Sequence, residues 1–207
     1  MIFEPQWLRW ARELQALAQT GSHFATSDYD RDRYNRISEI AAEIFARQGD
    51  KEGSEILTIF SADSGYATPK VDVRVATFRD NRILLVRELE DGHWTLPGGW
   101  ADVGEPPSVA AAREVREESG YEVHITKLAA LFDRNLHGHP AYSFHAYKFF
   151  FLGELRGGSA QDSHETADAE FFAEDARPPL SLSRVTPGQV AHMFEHFRQP
   201  TLPTSFD

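Results

Sequence analysis

Hydrophobic positions recur at helical spacing through the first part of the chain and at alternating spacing after it. Over residues 5–20, Trp7, Trp10, Ala11, Leu14, Leu17 and Ala18 fall on one helix face, and Gly21 reads as the stop. A second stripe, Tyr34, Ile37, Ile40, Ala41 and Ile44, predicts a helix capped by Ser27 or Asp28 and running to about Gln48 before Gly49. A short third helix begins near Ser54. From Val71 the period changes: Val71, Val73 and Val75 alternate with polar residues, as in a half-buried strand. Asp80-Asn81 marks a turn, and residues 83–86 make the returning strand of a hairpin. A polar loop over residues 88–92 leads through Trp94-Thr95-Leu96-Pro97-Gly98-Gly99 to a helix over residues 108–119, which stops at Gly120. Residues 121–125, 127–132 and 143–152 read as strands, the last rich in Phe and Tyr. Gly157-Gly158-Ser159 opens a loop, Phe171-Phe172 return to the core, and Thr186-Pro187 begins a last amphipathic helix carrying Val190, Met193, Phe194 and Phe197. Residues 199–207 form a tail expected to fray. Strands mixed with one central helix and several flanking ones place the chain in the α+β class.

Composition narrows the chemistry. The 207 residues suit one ordinary domain plus something small, and 41% hydrophobic residues can build a core. With no cysteine, disulfides, cysteine zinc sites and thiol nucleophiles are excluded, which is compatible with the cytoplasm. No apolar run reaches membrane-spanning length, so no membrane partner is expected. A net charge of −11 argues against a nucleic-acid binder held by phosphate contacts. It suits a phosphate-handling enzyme only where metal ions supply the positive charge.

The densest chemistry lies in residues 99–121, GWADVGEPPSVAAAREVREESGY. On a 3.6-residue period Glu114, Glu117 and Glu118 share one helix face, while Ala111, Ala112 and Val115 form an adjacent apolar face. Three crowded carboxylates repel one another, and hard divalent cations such as Mg²⁺ or Mn²⁺ relieve that cost. The bland alternative is a solvated acidic face with Arg113 and Glu117 as an ordinary i, i+4 pair. Neither a phosphate-binding Gly-Lys-Ser/Thr loop nor a G-x-S-x-G elbow is present.

The same stretch resembles the Nudix hydrolase signature, Gx5Ex7REUxEExGU with U aliphatic. Gly99, Glu105, the run from Arg113 to Glu118 and Gly120 match it, and Tyr121 alone departs from the usual aliphatic residue. The resemblance implies an α/β/α sandwich with a mixed sheet and metal-dependent hydrolysis of a diphosphate, with Mg²⁺ or Mn²⁺ as cofactor. It implies Glu114, Glu117, Glu118 and the Gly98 carbonyl as metal donors, and Glu117 or Glu118 as catalytic carboxylates. Arg113 is then expected to fix the loop through Glu105. A glutamate from a late loop often activates water in such enzymes, and Glu165 fits that position better than Glu170, which reads as a strand start.

Outside the signature, the stretch WARELQALAQTG followed by YDRDRYNRI resembles a helical module preceding Nudix domains that cleave CDP-choline or UDP-linked compounds. TPKVDVR (residues 68–74) and DRNLHGHP (residues 133–140) resemble the same relatives. The expected organisation is a helical module over residues 1–65, suited to homodimerisation, and a Nudix domain over residues 66–207. The implied substrate is a pyrimidine nucleoside diphosphate linked to a small group, with ADP-ribose or an ADP-sugar as the alternative and a non-catalytic nucleotide sensor as a second. His137 and His139 read either as a polar loop or as a substrate-facing lip. His192 and His196, at i and i+4, read as an exposed helical pair rather than a zinc site, because Met193 breaks an H-E-x-x-H pattern.

Overall fold

The computed structural model describes residues 5–48 and 52–207, so the expected helix stop at Gly49 lies outside the described residues. The chain divides into two compact units, Met1–Pro69 with Ala141–His145, and Lys70–Pro140 with Ala146–Asp207. No helix among the described residues is long and apolar enough to cross a membrane.

The first unit contains α1 (Gln6–Phe24), α2 (Asp28–Ala46) and α3 (Gly53–Ser61). Ser27 caps α2 by accepting from the Asp30 N–H. The core joins Leu8 and Ala11 to Ala41, Ala42, Phe45, Ile56 and Phe60, with Phe45 edge-on to both Trp7 and Phe60. Ile40, read above as part of the buried stripe, is exposed. The buried face is turned one position further, onto Ala42 and Phe45. Gly21 does not stop α1, which runs on to Phe24. A Cβ on Gly21 would lie 2.2 Å from a ring carbon of Tyr34, so glycine here lets α2 approach closely. The sign-alternating start of α2 forms exposed i, i+3 pairs, Asp28–Arg31 and Asp30–Arg33.

In the second unit the strands β1 (Lys70–Arg79), β2 (Arg82–Glu88), β3 (Trp94–Thr95), β4 (Tyr121–Asp133), β5 (Ala146–Gly158), β6 (Thr166–Phe172) and β7 (Ser205–Phe206) form one mixed sheet. Its path is β3-β2-β1-β5-β4-β7, with β6 on β2. Pairing is parallel for β1–β5 and β4–β7 and antiparallel elsewhere along that path. Helix α4 (Pro107–Ser119) covers one face, packing Ala110, Ala111 and Val115 on Val73, Val75, Leu84 and Val86. Helix α5 (Pro187–Arg198) covers the other, packing Val190, Met193 and Phe194 on Ala76, Ile83, Leu85 and Phe150. This is the α/β/α sandwich with a mixed sheet that the resemblance implied.

Several local expectations are revised. Strand β1 is not half-buried: its polar alternates Asp72 and Arg74 are buried as well, because they pair with each other inside the sandwich. The two strands expected over residues 121–132 are one, β4, with irregularities between Ile125 and Lys127 and between Leu128 and Ala130. Strand β5 extends through the Gly157-Gly158 pair before the loop. The tail does not fray, since β7 pairs with β4 and the Asp207 carboxylate accepts from the Asp133 N–H at 2.6 Å. The hairpin turn forms as read, with both Asp80 and Asn81 at positive φ.

Candidate active site

The site begins where β2 leaves β1. Their pairing covers only Phe78–Ile83 and Arg79–Arg82, and the freed edge of β1 is taken by the loop that follows β3. Val75 N–H donates to Pro97 O at 3.0 Å, Val73 N–H to Gly99 O at 2.8 Å, and Ala101 N–H to Val71 O at 3.0 Å. Gly98 adopts φ 142°, and a Cβ there would lie 1.9 Å from Val73 O, so only glycine fits this seam. The seam points the Gly98 N–H at α4, where it donates to the Glu118 carboxylate at 2.8 Å.

Helix α4 starts with Pro107 at its first turn and ends at Gly120 in the left-handed region, φ 73°. Its three glutamates share a face but differ in surroundings. Glu118 is 6% exposed, and burial pushes its carboxyl up to about 8 despite the opposing charge of Arg74 and the Gly98 N–H. Glu114 is also raised by burial, against the pull of Arg113. Glu117 reaches outward. Arg113 gathers the region: it donates to Glu105 at 3.0–3.2 Å and to Glu114 and Glu117 at 2.8 Å each. Both the loop-fixing contact and the i, i+4 pair are therefore present in one guanidinium. The far end of α4 is tied to β6 by the Thr166 hydroxyl, which donates to Glu118 O at 2.6 Å.

Gly98, Arg113, Glu114, Glu117 and Glu118 line a cleft of about 830 Å³ together with Arg74, Glu88, Trp100, Asp102, Glu165 and Arg184, and Glu105 stands outside that lining, holding Arg113. Glu165 sits just before β6, where its carbonyl accepts from the Leu89 N–H at 2.9 Å, and it lines the same cleft as the glutamates of α4. Glu170 lies within β6, exposed and outside the cleft lining. Among the described residues no three His, Asp or Glu side chains stand together as a ready metal cage, since Arg113 occupies oxygens of Glu114 and Glu117. The donor set nevertheless fits a hard cation. It is all oxygen, and Glu118 is a buried carboxyl that burial holds above its ordinary range, which a bound cation would offset.

Reasoning from sequence missed Arg74, Glu88 and Arg184. Arg184, in the loop before α5, pairs with the buried Glu88 at 2.8 Å and with Glu90 at 2.6 Å. Nothing in the SLSRVTP stretch marks it. Asp72 and Arg74 carried a signal, since two charges inside an apolar strand need partners once the strand is central.

The histidine-bearing loop is built rather than loose. Arg134, 4% exposed, donates to Pro140 O at 2.9 Å, and His139 Nδ1 donates to Leu182 O at 2.7 Å. His137 Nε2 lies 2.8 Å from Asp207. Neither histidine lines the cleft. His196 is fully buried, not exposed, between the Lys127 ammonium at 3.0 Å and His192 at 3.2 Å.

Comparison with known proteins follows the same two-unit division. Residues 5–60 match the profile of a UDP-X-like, N-terminal oligomerisation domain, and residues 68–189 match that of the NUDIX domain. The chain is 40% identical over 204 residues to YjhB of Bacillus subtilis strain 168, whose name gives it provisionally as an ADP-ribose pyrophosphatase; the match covers 99% of this chain and 98% of that one. A crystal structure of a UDP-X diphosphatase aligns with TM-score 0.63 at 31% identity, covering 97% of this chain and 98% of that one. A crystal structure of an ADP-ribose pyrophosphatase from Streptococcus suis 89-1591 aligns with TM-score 0.63 at 39% identity, covering 68% of this chain and all of that one.

Proposed function

The chain belongs to the Nudix family, and from that premise we propose that this pyrophosphatase hydrolyses the diphosphate bond of a pyrimidine nucleoside diphosphate linked to a small group, as CDP-choline or a UDP-sugar. The products are a nucleoside monophosphate and a phosphorylated remainder. The observation that carries the diphosphate reading is the buried Glu118 carboxylate lining one cleft with Glu114, Glu117 and Glu165. The pyrimidine part is supported by the UDP-X-like N-terminal match and by the full-length UDP-X diphosphatase alignment. The names of YjhB and of the Streptococcus suis structure favour ADP-ribose as the second reading.

Glu114, Glu117 and Glu118, with the Gly98 carbonyl, would hold Mg²⁺ or Mn²⁺. The ion would neutralise diphosphate charge and lower the pKa of a bound water. Glu165 would accept the proton of the attacking water, with Glu117 or Glu118 as the alternative base. Arg113 would have to release Glu114 and Glu117 to the cation while keeping Glu105, so that the loop over residues 99–105 stays fixed against α4. Small misplacements there cost large factors in rate.

The protein would work in the cytoplasm as a homodimer formed through the helical unit. Trp10, Leu17 and Phe24 lie seven residues apart along α1 and are exposed, whereas the exposed face of α2 carries Arg36, Glu39 and Glu43 in ion pairs. An apolar helical stripe beside a charged one marks the side that a second copy would cover.

A panel of CDP-choline, UDP-N-acetylglucosamine, ADP-ribose and dGTP with Mg²⁺ or Mn²⁺, read as kcat/KM with products identified, tests the substrate. A preference for ADP-ribose of about tenfold over both pyrimidine compounds, some 1.4 kcal/mol of transition-state binding, would replace the first reading with the second.

A further inference from the structure

Three buried charges of the sandwich form a chain leading from its interior to the cleft. Lys148 on β5, 2% exposed, donates to Asp72 Oδ1 at 2.6 Å. Asp72 on β1 receives Arg74 side-on, Nε to Oδ1 at 3.0 Å and Nη2 to Oδ2 at 2.9 Å. The parallel register that sets Asp72 opposite Lys148 brings the two strands' charges together. The remaining terminal nitrogen of Arg74 donates to Leu96 O at 3.1 Å.

Two features make this more than an internal ion pair. First, the group holds two cations against one anion. Asp72 is drawn down to about 2, since its cations outweigh the effect of burial, whereas burial brings Lys148 down to about 8. Burying an excess charge is costly, and a well-packed apolar cluster would be cheaper. Second, Arg74 alone of the three lines the cleft, and its three hydrogen bonds engage three of the five N–H groups of a guanidinium. One N–H on each terminal nitrogen is left over. The further carboxylates acting on it, Glu118 and Glu88, do so through space. The other cations of the cleft are committed elsewhere: Arg113 to three glutamates, and Arg184 to Glu88 and Glu90.

We propose that Arg74 binds a phosphate of the substrate from the inner wall of the cleft, and that Asp72 and Lys148 are positioning residues that aim its guanidinium. The fork geometry suits this: one edge is clamped by a carboxylate, leaving donors in a plane for phosphate oxygens. The inference rests on the diphosphatase reading above and assigns a residue outside the signature to the contact that no glutamate can make.

Calorimetric titration with methylenediphosphonate, a non-hydrolysable diphosphate, in the presence of Mg²⁺ tests it. Arg74→Lys keeps the charge and loses the fork; affinity should fall about tenfold or more, and KM should rise with it while kcat falls less. Mn²⁺ affinity measured without diphosphonate should stay within about threefold of wild type, because the α4 glutamates are untouched. Lys148→Met serves as the second variant, leaving Arg74 in place but loosening its aim; it should weaken diphosphonate binding without lowering the melting temperature. Unchanged diphosphonate affinity in Arg74→Lys, or an equal loss of Mn²⁺ affinity, overturns the proposal. Wild-type protein that binds the diphosphonate but cleaves no nucleoside diphosphate overturns the proposed activity and leaves the role of Arg74 standing. Wild-type protein that binds no diphosphonate overturns both.

Discussion

At the scale of single residues, the cleft and the surrounding core use burial in opposite ways. Glu118 is buried as an acid whose charged form is disfavoured by burial despite Arg74 and the Gly98 N–H, and a bound cation would favour it. Glu118→Gln keeps the shape and the Gly98 contact but removes the charge, so turnover at saturating Mg²⁺ should fall about a hundredfold or more with the fold retained. Near wild-type turnover in that variant would remove Glu118 from the metal set. His139 is half-buried as a neutral base: desolvation holds it down to about 3, and its Nδ1–H is spent on Leu182 O. The unfolded chain therefore binds a proton at this position between about 6.5 and 3 that the folded protein refuses. Its contribution to stability is fully present above about pH 6.5 and is lost as pH falls toward 3. Urea titrations of wild type and His139→Gln at pH 7 and pH 4.5 should show a smaller acid loss in the variant; equal losses would place the titration elsewhere. The signature glutamates were readable because their spacing is fixed by one helix. Arg74 was not, because alternation shows which residues share a strand face but not whether that face is covered.

At the scale of elements, the misreadings share a cause: glycine and charge were taken as local signals where packing set their meaning. Gly21 looks like a helix stop, and propensity alone would allow alanine there with a gain of up to about 1 kcal/mol. The Tyr34 ring leaves no room for a methyl group. Gly21→Ala should therefore destabilise the protein by about 1–3 kcal/mol, and Tyr34→Ala in the same chain should restore part of that loss, measured by chemical denaturation. A stabilised Gly21→Ala would mean that α1 and α2 are further apart than described. The same lesson applies to β1. Val73 and Val75 predicted the strand correctly, while Asp72 and Arg74 suggested a solvated back face. Helix α5 covers that side of the sheet with Val190, Met193 and Phe194, and only pairing between charges lets the alternation persist. The tail is ordered for a reason invisible in composition, since two β-bridges and the Asp207 carboxylate anchor it to β4 and the following turn.

At the scale of the molecule, the two matched profiles are those of an N-terminal oligomerisation domain and of a NUDIX domain. The sandwich was legible as a class because period, turn signals and the signature agree. Its sheet order was not, since β1 lies between β2 and β5 through pairings between residues far apart in sequence. The helical unit presents a different problem. Among the described residues its main core cluster is small, seven buried side chains from three helices, and α1 still leaves Trp10 55%, Leu17 56% and Phe24 65% exposed. Burying one such side chain contributes about 1.5–3 kcal/mol, so a twofold contact that covers the stripe in both copies gains from each residue twice. Leu17 sits at its middle. Leu17→Asp would place a carboxylate at the centre of the contact in both copies, while in a monomer the change lies in solvent and costs little. Sedimentation of the full chain at micromolar concentration should show a dimer for wild type and a monomer for Leu17→Asp, with circular dichroism unchanged. A wild-type monomer would end the dimer assignment, and a dimer that survives Leu17→Asp would move the interface to another face.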